Sequence, residues 1–171
     1  VQSKDEDGEP LIEPLENCLY SVKNRIKSII AAAKASKDVT QATLHLTGKT
    51  NFRNYLVDDY KANRKDVKKP IYYNKIREYM VEHWAAIVHE GYEADDAIAI
   101  RMAEDDKAIC CSLDKDLLTV PGYHLHPKKL EEGVYEQSET DALRFFYKQL
   151  LMGDAVDNIK GLGHVAQTTF K

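Results

Sequence analysis

Seven carboxylates of the 171-residue chain lie in three short clusters, within residues 93–96, 114–116 and 153–158. Neighbouring carboxylates repel one another and raise each other's pKa unless a cation lies among them. Several hard oxygen ligands around one centre are what Mg²⁺ and Mn²⁺ prefer. The clusters therefore predict a divalent-metal site and indicate phosphoester chemistry. Their members are Glu93, Asp95, Asp96, Asp114, Asp116, Asp154 and Asp157.

Each cluster also has an ordinary structural explanation. The acids of residues 93–96 fall in the first turn of a predicted helix, where they would stabilise the helix dipole and cap free N–H groups. Residues 114–116 could form a solvated turn, and the two aspartates of residues 153–158 could share one face of a tight turn. Three such clusters in one chain favour the metal site over three separate structural roles.

The charge of the chain is unevenly distributed. Its formal net charge is −4, yet the stretch from Arg53 to Arg77 holds eight basic and three acidic residues, a formal charge of +5. A basic stretch beside an acidic metal centre is typical of an enzyme that cleaves phosphodiesters. Tyr60, Tyr72 and Tyr73 lie within this stretch and could add base stacking. The alternative is a solvated basic loop. A phosphatase for other substrates would leave the stretch unexplained.

Composition predicts one domain over residues 1–171 with a single core, since 43% of residues are hydrophobic and 30% are charged. No apolar run approaches the roughly 18 residues that span a bilayer. Cys18, Cys110 and Cys111 lack CxxC spacing, which favours buried thiols over a zinc site.

Alternating strands and helices predict an α/β fold with a mostly parallel central sheet flanked by helices. Ligands of such sheets collect beyond the carboxyl ends of the strands, where two of the acidic clusters are expected. The predicted helices cover residues 15–35, 93–102 and 139–152, with another beginning at 70. The predicted strands cover residues 43–46, 85–88, 108–111 and 123–125.

The motifs E-A-D-D, S-x-D-x-D and M-G-D-x-x-D-N-I-x-G, in this order, resemble those of the 5′-nuclease (flap endonuclease) superfamily, which has a PIN-like fold. The compact phage-type 5′–3′ exonucleases are the most similar branch. The segment Y-K-x-x-R, which contains Lys61 and Arg64, resembles the base of that family's helical arch. The resemblance extends from about residue 51 to residue 161, with order and spacing intact.

The resemblance implies a hydrolysis that uses two Mg²⁺ or Mn²⁺ ions. Glu93 and Asp95 would bind the first ion. The remaining five acids would bridge to or bind the second ion, partly through waters. Lys61 and Arg64 would hold the scissile phosphate and offset its growing negative charge, which places them with Asp95 and Asp114 as catalytic groups. The five remaining acids are Asp96, Asp114, Asp116, Asp154 and Asp157.

The implied substrate is DNA with a free 5′ end or a flap, with RNA in RNA–DNA hybrids as a second substrate. The resemblance suggests DNA replication or recombination in the cytoplasm of a phage-infected bacterium. The short arch between Lys61 and Pro70 favours an exonuclease over an endonuclease. Further DNA contacts, with a K⁺ ion at the C-terminal hairpin, are implied for Tyr60, Lys61, Arg64, Lys65, Lys68, Lys69, Gly161 and Gly163.

Three features depart from the family pattern. The family's first strand carries a metal-binding aspartate, whereas the early acids here, Asp5, Glu6 and Asp7, lie in a polar stretch with glycine and proline and not on an apolar strand. Thr47-Gly48 stands where a second aspartate is expected, and residues 161–166 are a shortened form of the family's helix–hairpin–helix. Two explanations remain open: a domain incomplete at both ends, or a catalytically impaired scaffold that binds DNA. A PIN-type nuclease is a third possibility, which the G-D-x-x-D-N-I-x-G motif disfavours.

Overall fold

The computed structural model describes residues 12–56, 60–61 and 67–162. The sequence-based expectations for Arg64, Lys65 and Gly163 lie outside these residues, as does most of the predicted arch. The helices are α1 (Leu15–Ser36), α2 (Arg53–Leu56), α3 (Tyr73–Trp84), α4 (Ala94–Glu104) and α5 (Glu139–Met152), with 3₁₀ helices at Lys115–Thr119 and Leu130–Glu132. The strands are β1 (His45–Asn51), β2 (Ile87–Gly91), β3 (Ile109–Cys111), β4 (Gly122–Leu125), β5 (Val134–Gln137), β6 (Gly153–Asp154) and β7 (Ile159–Lys160).

The strands form two larger ladders. β1 pairs in parallel with β2, and β3 pairs in parallel with β4, to which β5 adds an antiparallel edge. The predicted α/β class is therefore confirmed, and the described strands make two parallel and two antiparallel pairings. Within the described part of the chain, no strand pairing joins the two ladders. Strand β5 was not predicted, because Val134–Gln137 is short and follows directly on a glycine turn.

Strand β1 is longer than the sequence predicts. It continues through Thr47 and Gly48 to Asn51, although its register with β2 shifts between Thr47 and Asn51. The carboxylate of Glu90 makes this possible, because it accepts hydrogen bonds from the backbone N–H groups of Lys49 and Thr50 and from the Thr50 hydroxyl. A Cβ at residue 48 would collide with this carboxylate, so glycine is required there.

Helix α3 begins at Tyr73, and the prediction of a start at Pro70 is wrong. The backbone N–H of Tyr73 bonds to the carbonyl of Pro70, which closes a turn ahead of the helix. At the other end, Ala85 adopts a left-handed conformation with φ of 49° and terminates α3. This residue delays the next strand, so β2 begins at Ile87 and runs to Gly91, not over residues 85–88.

The core that supports the acidic clusters lies between α4, β3 and the 3₁₀ helix at Lys115–Thr119. Met102, Cys110 and Leu117 are its buried members. Burial also raises the pKa of the Cys110 thiol to about 12, so this cysteine behaves as a small hydrophobe. The expectation of a buried free thiol is confirmed for Cys110, whereas Cys18 and Cys111 are half-buried free thiols. No helix of the described residues is long and apolar enough to cross a membrane.

Leu125 on β4 is the most deeply buried large side chain, with 1% of its surface exposed. We expect Leu125→Ala to lower the free energy of unfolding by about 2–5 kcal/mol, because it removes buried methyl groups and leaves a cavity. Leu143→Ala on α5 is the matched control, because 54% of the surface of Leu143 is exposed. It should change the free energy of unfolding by about 0.5 kcal/mol or less. Urea denaturation measures both, and equal losses would contradict the assigned core.

Candidate metal centre

The first acidic cluster opens α4. Glu93 is the N-cap residue and follows β2, while Asp95 and Asp96 lie in the first turn. The Asp96 carboxylate accepts the backbone N–H of Glu93, 2.9 Å away, as in a capping box. The Thr47 hydroxyl accepts the N–H of Ala94. Thr47, which stands where the family resemblance leads one to expect an aspartate, thus helps to cap α4.

The second cluster follows β3 and opens a 3₁₀ helix. The Asp114 carboxylate caps this helix by accepting the N–H of Asp116 at 3.0 Å. The amide side chain of Gln149 on α5 donates to the Asp116 carboxylate and fixes its orientation. Both aspartates therefore lie after β3, as the sequence predicts, and their carboxylates are held by a local bond to Asp114 and a long-range bond to Asp116.

The third cluster depends on a glycine that ends α5. Gly153 has φ of 74° and ψ of −177°, a conformation open essentially only to glycine. It turns the chain into the β6–β7 hairpin, in which Asp154 pairs with Ile159. The Asp154 carboxylate accepts the N–H of Val156, which tightens the turn that carries Asp157.

The three clusters converge on one cleft with a volume of about 70 Å³. Oxygens of Asp116, Asp154 and Asp157 all lie within 4.8 Å of one another. Oxygens bound to one Mg²⁺ or Mn²⁺-sized ion at about 2.0–2.6 Å lie at most about 4–5 Å apart, so this spacing fits one shared ion. The cleft is lined by Lys61, Asp95, Asp114, Lys115, Asp116, Asp154, Val156 and Asp157.

Tyr60 and Lys61 connect the first cluster to the third. The Lys61 ammonium lies 2.7 Å from Glu93 Oε1 and 3.7 Å from Asp157 Oδ2, and its backbone N–H bonds to the carbonyl of Asp157. Burial alone would lower the pKa of Lys61, but hydrogen bonds to Glu93 and Tyr60 raise it. Lys61 therefore carries a fixed positive charge at the wall of the cleft.

Tyr60 is buried in this network, with 8% of its surface exposed. Its hydroxyl lies 3.1 Å from Glu93 Oε2 and 3.3 Å from Asp157 Oδ2. Burial, opposed in part by Lys61, raises the pKa of the Tyr60 hydroxyl to about 12. The Tyr60 hydroxyl thus contacts two carboxylates of the site, and its predicted DNA contact stays a prediction.

A second lysine lies among the acids of the cleft. Lys115 Nζ is 2.6 Å from Asp154 Oδ2 and 2.9 Å from Asp116 Oδ1. Partial burial would raise the pKa of Asp154, but the Lys115 ammonium and the backbone N–H groups of the turn lower it. Lys115 thus keeps the second and third clusters together through its positive charge.

Asp95 and Asp96 are adjacent but differ in their surroundings. Burial, together with the charges of Glu93, Asp114 and Asp96, raises the pKa of Asp95. The Arg53 guanidinium instead lowers the pKa of Asp96, to which it donates two hydrogen bonds of 2.6 Å. Asp95 lines the cleft with other carboxylates around it, whereas Asp96 forms an ion pair with Arg53.

The basic stretch is less available to a partner than its formal charge predicts. Arg53 and Lys61 turn inward to Asp96 and Glu93, and Lys75 pairs with Glu78. Two of the predicted DNA-binding lysines, Lys68 and Lys69, are exposed, and the Lys69 ammonium lies 4.5 Å from the centre of the Tyr73 ring.

Gly161 has a structural reason for being glycine. A Cβ there would collide with the backbone of Met152 and Gly153, so residue 161 closes the hairpin against the end of α5. Its predicted DNA contact stays a prediction. The expected K⁺-binding hairpin continues from Gly163 onward and lies outside the described residues.

Sequence reasoning missed several side chains that hold the acids. Asn51 donates to Glu93, Gln149 donates to Asp116, and Lys115 pairs with Asp154. Lys115 could have been found, because it lies between two predicted ligands. Asn51 could have been found only with the true end of β1, since it lies beyond the strand predicted from the hydrophobic pattern. No sequence signal singles out Gln149 on the polar face of α5.

A family model described as 5′-3′ exonuclease, N-terminal resolvase-like domain, matches residues 8–143. This match covers most of the chain, so the protein belongs to the 5′–3′ exonuclease family, as its motifs indicate. The third acidic cluster lies beyond the matched residues and rests on its own geometry.

Individual relatives agree with this family. The exonuclease of Escherichia phage T7 is 31% identical over 156 residues, which cover 86% of this chain and 49% of that protein. The 5′-3′ exonuclease of Buchnera aphidicola subsp. Schizaphis graminum is 27% identical over 173 residues, which cover 88% of this chain and 57% of that protein. The chain therefore spans about half the length of these relatives.

The fold is also similar to a solved structure, that of the T5 D15 protein co-crystallised with metal ions. The TM-score is 0.59 at 19% sequence identity, over 91% of this chain and 65% of that chain. At this identity the similarity establishes the α/β fold and leaves the roles of individual residues to the geometry described above.

Asp95 should destabilise the metal-free protein at neutral pH. Its folded-state pKa lies above the ordinary value of 3.8, so its unfavourable contribution is absent in acid and grows as the pH rises through that range. We expect Asp95→Asn to raise the melting temperature at pH 7 in EDTA by a few degrees, and to reduce the increase that Mn²⁺ produces. Differential scanning calorimetry measures both effects.

Asp106→Asn is the control for this prediction, because Asp106 is exposed beyond the far end of α4, about 16 Å from its first turn. It should alter neither the melting temperature in EDTA nor the gain from Mn²⁺. A lower melting temperature for Asp95→Asn at pH 7 in EDTA would show that Asp95 has an attractive partner.

Gly153 should be required for the position of Asp154 as well as for stability. We expect Gly153→Ala to lower the free energy of unfolding by about 1–3 kcal/mol through backbone strain, and to abolish stabilisation by Mn²⁺ because an added Cβ collides with the β7 backbone. Gly133 has nearly the same conformation, with φ of 71° and ψ of −168°, far from the cleft residues in sequence. Gly133→Ala should share the strain and keep the full Mn²⁺ effect. Equal loss of the Mn²⁺ effect in both variants would contradict this role.

Proposed function

We propose that this chain carries the active site of a divalent-metal-dependent 5′–3′ exonuclease or flap endonuclease, which hydrolyses DNA phosphodiesters with two Mg²⁺ or Mn²⁺ ions. The observation that carries the proposal is the convergence of Asp116, Asp154 and Asp157 within 4.8 Å of one another, in a cleft that also contains Lys61. Family membership supports the reaction class. Because the chain spans about half of its relatives, the activity of the whole gene product is part of the proposal.

The donor set suits hard divalent cations, because every candidate ligand is a carboxylate oxygen. Asp116, Asp154 and Asp157 would hold one ion, and Glu93 and Asp95 would hold the other, with Asp114 lining the cleft between them. Bound there, the ions would supply an acidic water and neutralise charge on the phosphate. The chain's own contribution is to hold these carboxylates in place.

Lys61 is placed to hold the scissile phosphate. Its ammonium has three N–H donors, and Glu93 accepts a hydrogen bond from one of them. The backbone bond to Asp157 ties the residue to the metal-binding hairpin. A cation at this position can offset the negative charge that grows on a phosphate in the transition state.

The proposed substrate class is nucleic acid, bound through contacts that do not depend on the base sequence. Lys68 and Lys69 are exposed beside α3, and the ring of Tyr73 lies under the Lys69 ammonium. Such groups fit phosphates and stacked bases of a DNA strand with a free 5′ end or a flap, and they fit RNA in an RNA–DNA hybrid equally well. A role in phage DNA replication or recombination agrees with the phage relatives.

One observation favours the alternative of a catalytically impaired DNA-binding scaffold. Thr47 stands at the position expected to provide an aspartate, and its hydroxyl caps α4 instead of adding a carboxylate to the cleft. The two functions differ in whether the cleft acids are needed for cleavage or only the basic groups are needed for binding.

We expect Asp154→Asn to lower the cleavage of 5′-labelled duplex and flap DNA at least about 100-fold, because it removes a carboxylate from the shared ion site. The affinity for DNA, measured by fluorescence anisotropy in EDTA, should stay within about twofold, since the phosphate contacts are assigned to Lys68 and Lys69 and those residues are unchanged. The assay uses the whole gene product with Mg²⁺ or Mn²⁺, and Asp106→Asn is the control.

The outcomes separate the candidates. Metal-dependent cleavage that is lost in Asp154→Asn supports the nuclease. Binding without cleavage by the wild-type protein supports the scaffold. Cleavage by Asp154→Asn at the wild-type rate would overturn the metal assignment.

A further inference from the structure

We propose that Asn51 and Arg53 are positioning residues of the metal centre, and that Asp96 is their anchor on α4 and not a metal ligand. This inference rests on the proposed function and deepens it. It also departs from the family resemblance, which makes Asp96 a ligand.

The contact between Arg53 and Asp96 is a two-pronged ion pair. Nη1 donates to Oδ2 and Nη2 donates to Oδ1, each at 2.6 Å, and both side chains are about three-quarters buried. Oδ2 additionally accepts the N–H of Glu93 at 2.9 Å. Parallel hydrogen bonds of this kind fix both the position and the rotation of a carboxylate. Asp96 Oδ2 therefore accepts two hydrogen bonds, one from Arg53 and one from Glu93. The Arg53 bond connects the first turn of α4 to the segment that follows β1.

Asn51 extends the same support to Glu93. Its side-chain amide donates to Glu93 Oε1 at 2.8 Å, and its side-chain oxygen accepts the N–H of Arg53 at 3.0 Å. Asn51 is buried, with 7% of its surface exposed, so an unpaired amide there would be costly. The N–H of Phe52 bonds to the carbonyl of Gly91, which keeps this segment against the end of β2.

These contacts divide the first acidic cluster into two functions. Asp96 is paired with Arg53, whereas Asp95 lines the cleft and Glu93 bonds to the cleft residue Lys61. The direction of α4's first turn therefore depends on Arg53, although Arg53 does not line the cleft. Groups that orient ligands in this way typically affect metal affinity about 10- to 100-fold.

The test compares Arg53→Gln, Arg53→Lys, Asp96→Asn and the double variant Arg53→Gln/Asp96→Asn in the whole gene product. Mn²⁺ affinity is measured by isothermal titration calorimetry, kcat and KM are measured on 5′-labelled duplex DNA, and stability is measured by urea denaturation. We expect Arg53→Gln to weaken Mn²⁺ binding about 10-fold and to lower kcat by a similar factor, with KM for DNA within about twofold.

Two further results are expected if the pair acts as a unit. Arg53→Lys keeps the charge but cannot form the fork, so its Mn²⁺ affinity should match that of Arg53→Gln. The double variant should bind Mn²⁺ no more weakly than either single variant, because both changes remove the same contact. Arg101→Gln is the control: Arg101 makes a 2.9 Å pair with Asp105 at the other end of α4, and its loss should not affect Mn²⁺ affinity.

Several outcomes would overturn the inference. Unchanged Mn²⁺ affinity in Arg53→Gln, or in Arg53→Lys should the former fail to fold, would make the pair a purely structural cap. A loss in Asp96→Asn as large as that in Asp154→Asn would make Asp96 a ligand. Absence of Mn²⁺ binding and cleavage in the wild-type protein would instead contradict the proposed function.

Discussion

Mutual repulsion of the carboxylates around the cleft is the constraint on which the rest of this structure depends. Seven acids lie at the ends of secondary-structure elements, and the fold brings them together with cations built into the chain. Arg53 pairs with Asp96, Lys61 with Glu93, and Lys115 with Asp154. Each pair joins residues at least 32 positions apart in sequence, so each ion pair is also a tertiary contact. The same three ion pairs therefore neutralise acids of the site and connect the elements that carry them.

These pairs differ in what they leave available. Both Asp96 oxygens are bound by Arg53, and the two groups hold each other in one geometry. Lys61 and Lys115 are single ammonium groups on flexible stems, which can exchange one oxygen partner for another. The guanidinium is therefore suited to positioning, and the two lysines are suited to a site whose charge changes when ions and a phosphate bind. This difference in chemistry explains why an arginine supports α4 while lysines line the cleft.

The sequence was sufficient to predict the elements that carry the acids, because an apolar run marks β3 and the acidic motifs mark the start of α4 and the end of α5. It was not sufficient to predict the partners of those acids. Strand β1 continues past its apolar residues because Glu90 on another strand binds its backbone, a contact that has no local pattern. The burial of Tyr60 has the same origin, since its hydroxyl is bound by acids 33 and 97 positions away.

A local count of charges misjudged the basic stretch for a related reason. Formal charge in a sequence window assumes that each side chain faces solvent, but Arg53 pairs with Asp96 and Lys61 pairs with Glu93. A cation gains more free energy by pairing with a clustered acid than by staying exposed, because the effective dielectric constant around the cluster is lower than that of water. Arg53 and Lys61 therefore become part of the support of the acidic clusters, whereas Lys68 and Lys69 are exposed. Sequence distance does not separate these two groups, because Lys68 is nearer to Glu93 along the chain than Lys61 is. The tertiary contacts separate the cations that build the site from those that can bind a strand.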